Sequence, residues 1–198
     1  MSASNLPVPP RRPARELLLD AAARLFYAQG VAATGIDAIT AEAGVAKKSL
    51  YNNFASKAEL VAAYLEARHE EWLGLYRSRL EAAKSPLERV LAIFDAYLDH
   101  ASFAYEHGFR GCGLLNAAAE MPAGDAGRLA VRHHKEEVEG LLAAHAAELL
   151  PGEGERAAGL ARHLSFLLEG AMARAGLEGR DDRLRDARAI AARMLEDL

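Results

Sequence analysis

Apolar residues recur along this chain at intervals of three and four, the period of an α-helix, and no run of four to eight residues alternates as a half-buried strand would. Leu18, Ala22, Leu25 and Phe26 form the first stripe and Gly30 closes it, which predicts a helix over 14–29. Ile36, Ile39 and Ala43 predict a second over 36–43. It stops at Gly44, because glycine tolerates the left-handed conformation at which helices end. Val45 anchors the turn. Leu50, Tyr51 and Phe54 give a third helix, 47–53, its apolar side. Ser56 and Glu59 have the spacing of a capping box. Behind them Leu60, Tyr64, Leu65, Trp72, Leu75 and Tyr76 carry a fourth helix to about 83. Ser85-Pro86 opens a fifth, since proline suits a first helical position; Leu87, Val90, Leu91, Phe94 and Leu98 line it. The stretch Gly108 to Gly113 breaks the pattern. A short helix near 113–121 ends at Pro122, a longer one runs over 125–149 to Pro151-Gly152, and the last two cover 154–176 and 182–197.

The fold class expected is therefore all-α. Two short helices around a glycine turn make a helix-turn-helix, whose second helix enters the DNA major groove. We read residues 13–60 as a three-helix DNA-binding domain, with the fourth helix as a connector, and 61–198 as a helical bundle. Residues 1–12, rich in proline and ending in Arg11-Arg12, read as a disordered basic arm. It is either an inert tail or a contact to the DNA backbone or minor groove. On the third helix Lys47, Lys48, Ser49, Tyr51 and Asn52 offer groups suited to phosphates and base edges; asparagine pairs with adenine and lysine donates to guanine.

The same window resembles a family. Gly44-Val45, Leu50-Tyr51, Phe54, Ser56-Lys57 and Leu60 follow the TetR (tetracycline-repressor-like) signature in order and spacing. Ala21-Ala22, Leu25-Phe26, Gly30 and Thr34 are similar to its first helix and the turn after it. The resemblance covers about residues 15–65. It implies a homodimeric transcriptional regulator in which Tyr51 and Lys57 contact phosphates, Thr34 is a further phosphate contact, and two late helices of each subunit build a four-helix interface. Gly111 to Glu120 looks like a stretch found in one subgroup. Three positions depart from the pattern. Ala46 stands where serine is frequent, which forgoes a cap worth about 1 kcal/mol. Thr40 stands where a small alanine is common, and Lys48 adds a charge on the groove side.

Composition narrows the classes further. No 18 consecutive apolar residues occur, so no membrane partner is expected, and the first residues have no apolar core of a signal peptide. With one cysteine, no internal disulfide can form, and a cytoplasmic location is expected. The net charge is −4, but residues 1–60 hold seven Lys/Arg against five Asp/Glu and the remainder 17 against 23. A basic end for phosphate and an acidic end kept from it suit the DNA-binding reading.

Residues 61–198 carry four of six Phe and the only Trp. Phe94, Tyr97, Phe103, Phe109 and Phe166, with Asn116 and Glu120 one turn apart, are expected to line an effector cavity for an apolar or weakly polar, neutral or cationic molecule. His100, His107, His133 and His134 add polar groups, but the last two are adjacent and diverge on a helix, so no metal site is expected. Cys112 reads as a small buried residue or, less simply, a redox sensor. No phosphate loop, nucleophile elbow or zinc motif is present, which predicts a non-enzyme without cofactors. Leu160, Leu164, Leu167, Leu168 and Ala171 on the eighth helix, and Leu184, Ala187, Ala191, Met194 and Leu198 on the ninth, are expected at a dimer interface; Gly170, Ala173 and Gly176 would allow close helix approach. The sequence thus points to a repressor released from a pseudo-palindromic double-stranded operator by an unknown small molecule. The competing reading is a dimeric helical adaptor for a protein partner, with DNA binding secondary.

Overall fold

The computed structural model describes residues 12–103 and 105–198. Among them are nine helices and no strand: α1 Ala14–Gln29, α2 Ile36–Ala43, α3 Lys47–Asn53, α4 Lys57–Ala82, α5 Pro86–Ala101, α6 Gly113–Ala119, α7 Ala126–Leu149, α8 Gly154–Glu178 and α9 Asp182–Glu196. Local chemistry sets these ends. The Ser85 hydroxyl accepts from the Glu88 amide at 3.2 Å while Glu88 Oε2 reaches the Lys84 amide, with Pro86 in the first turn. Asp125 caps α7 by accepting from the Gly127 amide at 2.7 Å. The amides of Glu120 and Met121 close short bonds to the carbonyls of Ala117 and Ala118, so α6 ends at Ala119, earlier than the stripe predicts. α8 runs through Gly176 to Glu178, and Gly179 ends it in the left-handed conformation at φ 69°.

The chain divides into two compact units, Met1–Ala63 and Tyr64–Leu198, and the division falls within α4. In the first unit, Leu18, Ala21, Ala22, Phe26, Ile39, Leu50, Phe54 and Leu60 form the core. Residues 1–11 of the expected basic arm lie outside the described residues. Arg12 donates to Asp20 at 2.7 Å and to Glu16 at 3.4 Å on α1. In the second unit α5 and α8 each pack on both α7 and α9, and α6 rests on α7. Val90, Ile93, Phe94, Val138, Leu142, Leu164, Leu168, Leu184 and Ala191 fill this core. Arg188 fixes α9 to α5 by two bonds to Asp95, at 2.5 and 3.1 Å.

Candidate nucleic-acid interface

The geometry of the helix-turn-helix starts at Gly44. Its φ of 64° turns the chain, its amide donates to the Ala41 carbonyl at 3.1 Å, and the Val45 amide donates to the Thr40 carbonyl at 3.1 Å. α3 then lies with Leu50 sealed and Phe54, just past its end, sealed beside it, with the Arg15 guanidinium 5.0 Å from the Phe54 ring centre. The opposite side shows Lys47, Lys48, Tyr51 and Asn52 to solvent, Tyr51 at 52% exposure. Ser49 is half-buried, and Asn53 donates its amide to the Ser49 carbonyl at 2.8 Å, so Asn53 serves the helix itself. Ala46 offers no side-chain cap; the Ser49 amide bonds the Ala46 carbonyl at 2.8 Å instead.

Charges on this surface are partly tied. Lys47 Nζ lies 2.8 Å from Asp37 Oδ1, and that hydrogen bond and charge raise the lysine above its ordinary pKa. The pair joins the start of α3 to the start of α2. Arg24 grips Glu42 with two nitrogens at 2.7 and 3.0 Å and joins α1 to α2. Lys57, half-buried, stands in the first turn of α4. Ser56 accepts there from the Glu59 amide at 3.2 Å, and Glu59 reaches back to the Ala55 amide at 2.6 Å.

Thr34 requires a correction. Its side chain is wholly buried, and its hydroxyl donates to the Gly30 carbonyl at 2.6 Å, with the Leu25 carbonyl at 3.4 Å. The hydroxyl satisfies backbone left open at the end of α1 and does not face a phosphate. Thr40 is likewise buried and donates to the Asp37 carbonyl at 3.1 Å.

The residues expected around an effector are distributed unevenly. Phe94 and Tyr97 are buried one turn apart on α5, and Phe109 is buried in the segment before α6. Phe103 lies on the His100 ring at 5.5 Å, and Tyr105 on Phe109 at 5.7 Å. Three expectations are corrected. Phe166 is 67% exposed and points outward from α8. Asn116 donates to the Arg110 carbonyl at 2.9 Å and so holds the segment before α6 in place. Glu120 is exposed beyond the end of α6.

The structure brings further polar groups together in the second unit. Lys135 on α7 donates to Glu169 on α8 at 2.7 Å and to the Tyr97 hydroxyl at 3.2 Å, and stands 3.8 Å from Cys112 Sγ. Burial pulls its ammonium down, but Cys112, Tyr97 and Glu169 outweigh burial and the net shift is upward. Burial pushes the Tyr97 hydroxyl up, so it stays protonated. His134 Nδ1 meets His69 Nδ1 at 2.9 Å, and Tyr76 Oη meets His145 Nε2 at 2.7 Å. The sequence signal for Lys135 was its place in the register of Val131 and Val138, where a charge must face inward.

The expected dimer residues also need correction. Leu160, Leu164, Ala171, Ala187 and Ala191 are buried within the single chain, and Leu167 and Met194 are half-buried. That stripe of α8 and α9 is used for packing inside the unit. The outward face of α8 carries Phe166, Gly170, Ala173 and Leu177, the last 86% exposed, and α9 shows Ile190. Gly176 does not serve a helix contact: a Cβ there would meet the Gly111 backbone at 2.8 Å.

Comparison with known proteins agrees with this geometry. The family model described as bacterial regulatory proteins, tetR family, matches residues 18–64. The crystal structure of SCO4454, a TetR-family transcriptional regulator from Streptomyces coelicolor, is 30% identical, covers 94% of this chain and 96% of its own, and superposes with a TM-score of 0.84. The regulatory protein TetR from Rhodobacter sphaeroides is 27% identical, with 91% and 97% covered and a TM-score of 0.77. The chain belongs to the TetR family of transcriptional regulators. Two further relatives come from Mycolicibacterium smegmatis. The HTH-type transcriptional repressor KstR2 is 36% identical over 103 residues, 51% of this chain and 48% of its own length; the activator FasR is 34% identical over 106 residues, 54% and 47%. The match thus spans about half the length of these two relatives.

Proposed function

We propose that the chain is a ligand-responsive repressor that holds a pseudo-palindromic operator as a homodimer and lets go when a small molecule occupies its second unit. The observation that carries this reading is α3: Lys48, Tyr51 and Asn52 face solvent on a helix whose other side is locked by Leu50. Lys48, Tyr51 and Lys57 are assigned to phosphates, which position the protein, and Asn52 to a base edge, which selects sequence. Lys47 shares its charge with Asp37 and contributes mainly by orienting α3. A second copy is to pack on the outward apolar face of α8 and α9, placing two recognition helices about 34–36 Å apart, one DNA turn. The effector acts by preferring a different spacing, and operator affinity falls only by its differential affinity for the two states. The repressor sense follows KstR2, named a repressor; FasR, named an activator, marks the opposite outcome on a similar scaffold.

The test is operator binding, sought first in DNA flanking the chain's own gene, across a salt series. Each neutralised phosphate releases counterions, so log affinity should fall linearly with log salt. Lys57→Ala should weaken binding to all sequences alike and lower the slope by about one. Asn52→Ala should cost about 1–3 kcal/mol on the operator and little elsewhere. Operator affinity that is the same at low and high salt would refute the reading.

A further inference from the structure

Among the described residues, six buried side-chain atoms of the second unit have no hydrogen-bond partner: Arg68 Nε, Glu71 Oε2, Trp72 Nε1, Arg89 Nε, His100 Nδ1 and Glu178 Oε2. Native interiors leave few such atoms, because burying a polar atom without a hydrogen bond is costly. Four of them, Arg68, Glu71, Trp72 and His100, belong to neighbouring positions on α4 and α5. Arg68, Glu71 and Trp72 share one face of α4 by their i, i+3, i+4 spacing. Glu71 Oε2 lies 2.9 Å from Arg68 Nη1, though not aligned as a hydrogen bond, and 3.9 Å from His100 Nδ1 on α5. The Trp72 ring packs 5.3 Å from Tyr97, one turn before His100, and 5.4 Å edge-on from His134. Trp72 is 4% exposed, so bulk water does not serve its N–H.

The donor and acceptor roles can be assigned. The Tyr105 hydroxyl donates to the His100 carbonyl at 3.0 Å, so toward His100 Nε2, at 3.2 Å, it acts as acceptor. Nε2 therefore carries the proton of the neutral ring and Nδ1 is a bare acceptor. Burial, then Arg68 and Lys135, hold His100 down at about 4, so the ring is neutral at physiological pH. The cluster presents two donors, Arg68 Nε and Trp72 Nε1, and two acceptors, Glu71 Oε2 and His100 Nδ1. Its formal charges cancel, Arg68 against Glu71 and Lys135 against Glu169. A charged head group would unbalance it and lose its hydration with no counter-ion left to receive it. Flat apolar walls stand beside these atoms: Trp72, Tyr97 and, on His100, Phe103.

We infer that Arg68, Glu71, Trp72 and His100 are the head-group end of the effector site, and that the effector is a neutral molecule with a flat apolar body and a hydroxyl or amide that both donates and accepts. A phenol is the simplest case. The inference rests on the ligand-responsive reading above and narrows the sequence expectation by excluding cations.

Trp72 is the only tryptophan, so its emission reports on this site alone. The experiment titrates the full chain with para-ethylphenol, ethylbenzene and para-ethylbenzoate, exciting at the red edge where none of them absorbs. A saturable change at Trp72, at least about tenfold tighter for the phenol than for the other two, is the expected result. His100→Phe removes an acceptor and should weaken the phenol about tenfold more than it weakens ethylbenzene. Trp72→Phe removes a donor and the reporter together, and is read by calorimetry with the same expectation; it also stands in should His100→Phe fail to fold. A phenol no tighter than ethylbenzene, a preference for the benzoate, or variants that weaken phenol and hydrocarbon equally would overturn the inference. Operator binding followed in parallel separates the two readings. A chain released from DNA by compounds that leave Trp72 silent overturns this site and keeps the regulator. A chain whose Trp72 responds as expected but that binds no operator overturns the regulator and keeps the site.

Discussion

His134 sets its ring edge-on to Trp72 and brings Nδ1 to 2.9 Å from that of His69, so one of the two rings must donate and the other accept. Burial first, then the charges of Lys135, His69 and His100, hold His134 down at about 3, as burial, Arg68 and Lys135 hold His100 at about 4. An unfolded histidine titrates near about 6.5. From there down to the folded values the unfolded chain binds protons that the native chain does not, so stability rises with pH across that window and falls on acidification. Burial raises Glu71, which works weakly in the opposite sense. The melting temperature should therefore drop steadily between about pH 7 and pH 4.5, and His134→Gln should flatten the drop by roughly half, since two histidines share it. Equal slopes for the variant and the parent would remove His134 from this account. The Thr34 hydroxyl is likewise committed inside the fold. One hydroxyl cannot serve both the Gly30 carbonyl and a phosphate, and the backbone has taken it.

Helix ends in this chain follow from local chemistry. Ser85 with Pro86, Ser56 with Glu59, Asp125, Gly44 and Gly179 act within a few residues of themselves, which is why most boundaries were legible in the sequence. Facing is not local. Both sides of α8 are apolar, and the stripe through Leu160 and Leu164 that reads as an interface is the one buried inside the unit. Period alone could not tell that side from the side bearing Phe166 and Leu177. Arg68, Glu71 and Lys135 were visible as charges set in apolar registers. Recognising them as one cluster required α4, α5, α7 and α8 to be brought together. The solvent-facing residues of α3 were legible because sealing Leu50 on a seven-residue helix leaves Lys48, Tyr51 and Asn52 no other side. Gly176 was read as a helix contact; it is instead the seat of the Gly111 turn, which has a φ of 78°. Gly176→Ala would press a methyl group 2.8 Å from the Gly111 backbone and 2.9 Å from the Arg110 carbonyl carbon. Backbone yields less readily than a side chain, so a loss of about 1–3 kcal/mol is expected in denaturant unfolding. An unchanged midpoint would show that the turn shifts freely.

Across the whole molecule the two apolar faces of α8 make separable predictions. Leu164→Arg forces a charge into the core of one chain and should lower its stability by about 3 kcal/mol or more. Leu177→Arg touches nothing buried in the single chain and should leave the fold intact while splitting the dimer, read by light scattering at micromolar concentration. A Leu177→Arg chain that stays dimeric would move the interface elsewhere. The unpaired atoms on α4 and α5 have one more consequence, for how much of the protein a cell holds. Four buried atoms without a hydrogen bond on these two helices make the ligand-free chain less stable than it would be with them paired, and an effector that pairs them adds its own binding energy to folding. A shift of only about 1–2 kcal/mol changes abundance several-fold once proteases act on the unfolded fraction. The effector then acts as a preservative of its own sensor. Pulse–chase labelling should show the regulator lasting longer in cells supplied with effector, and equal half-lives would mean that quality control does not see those four atoms.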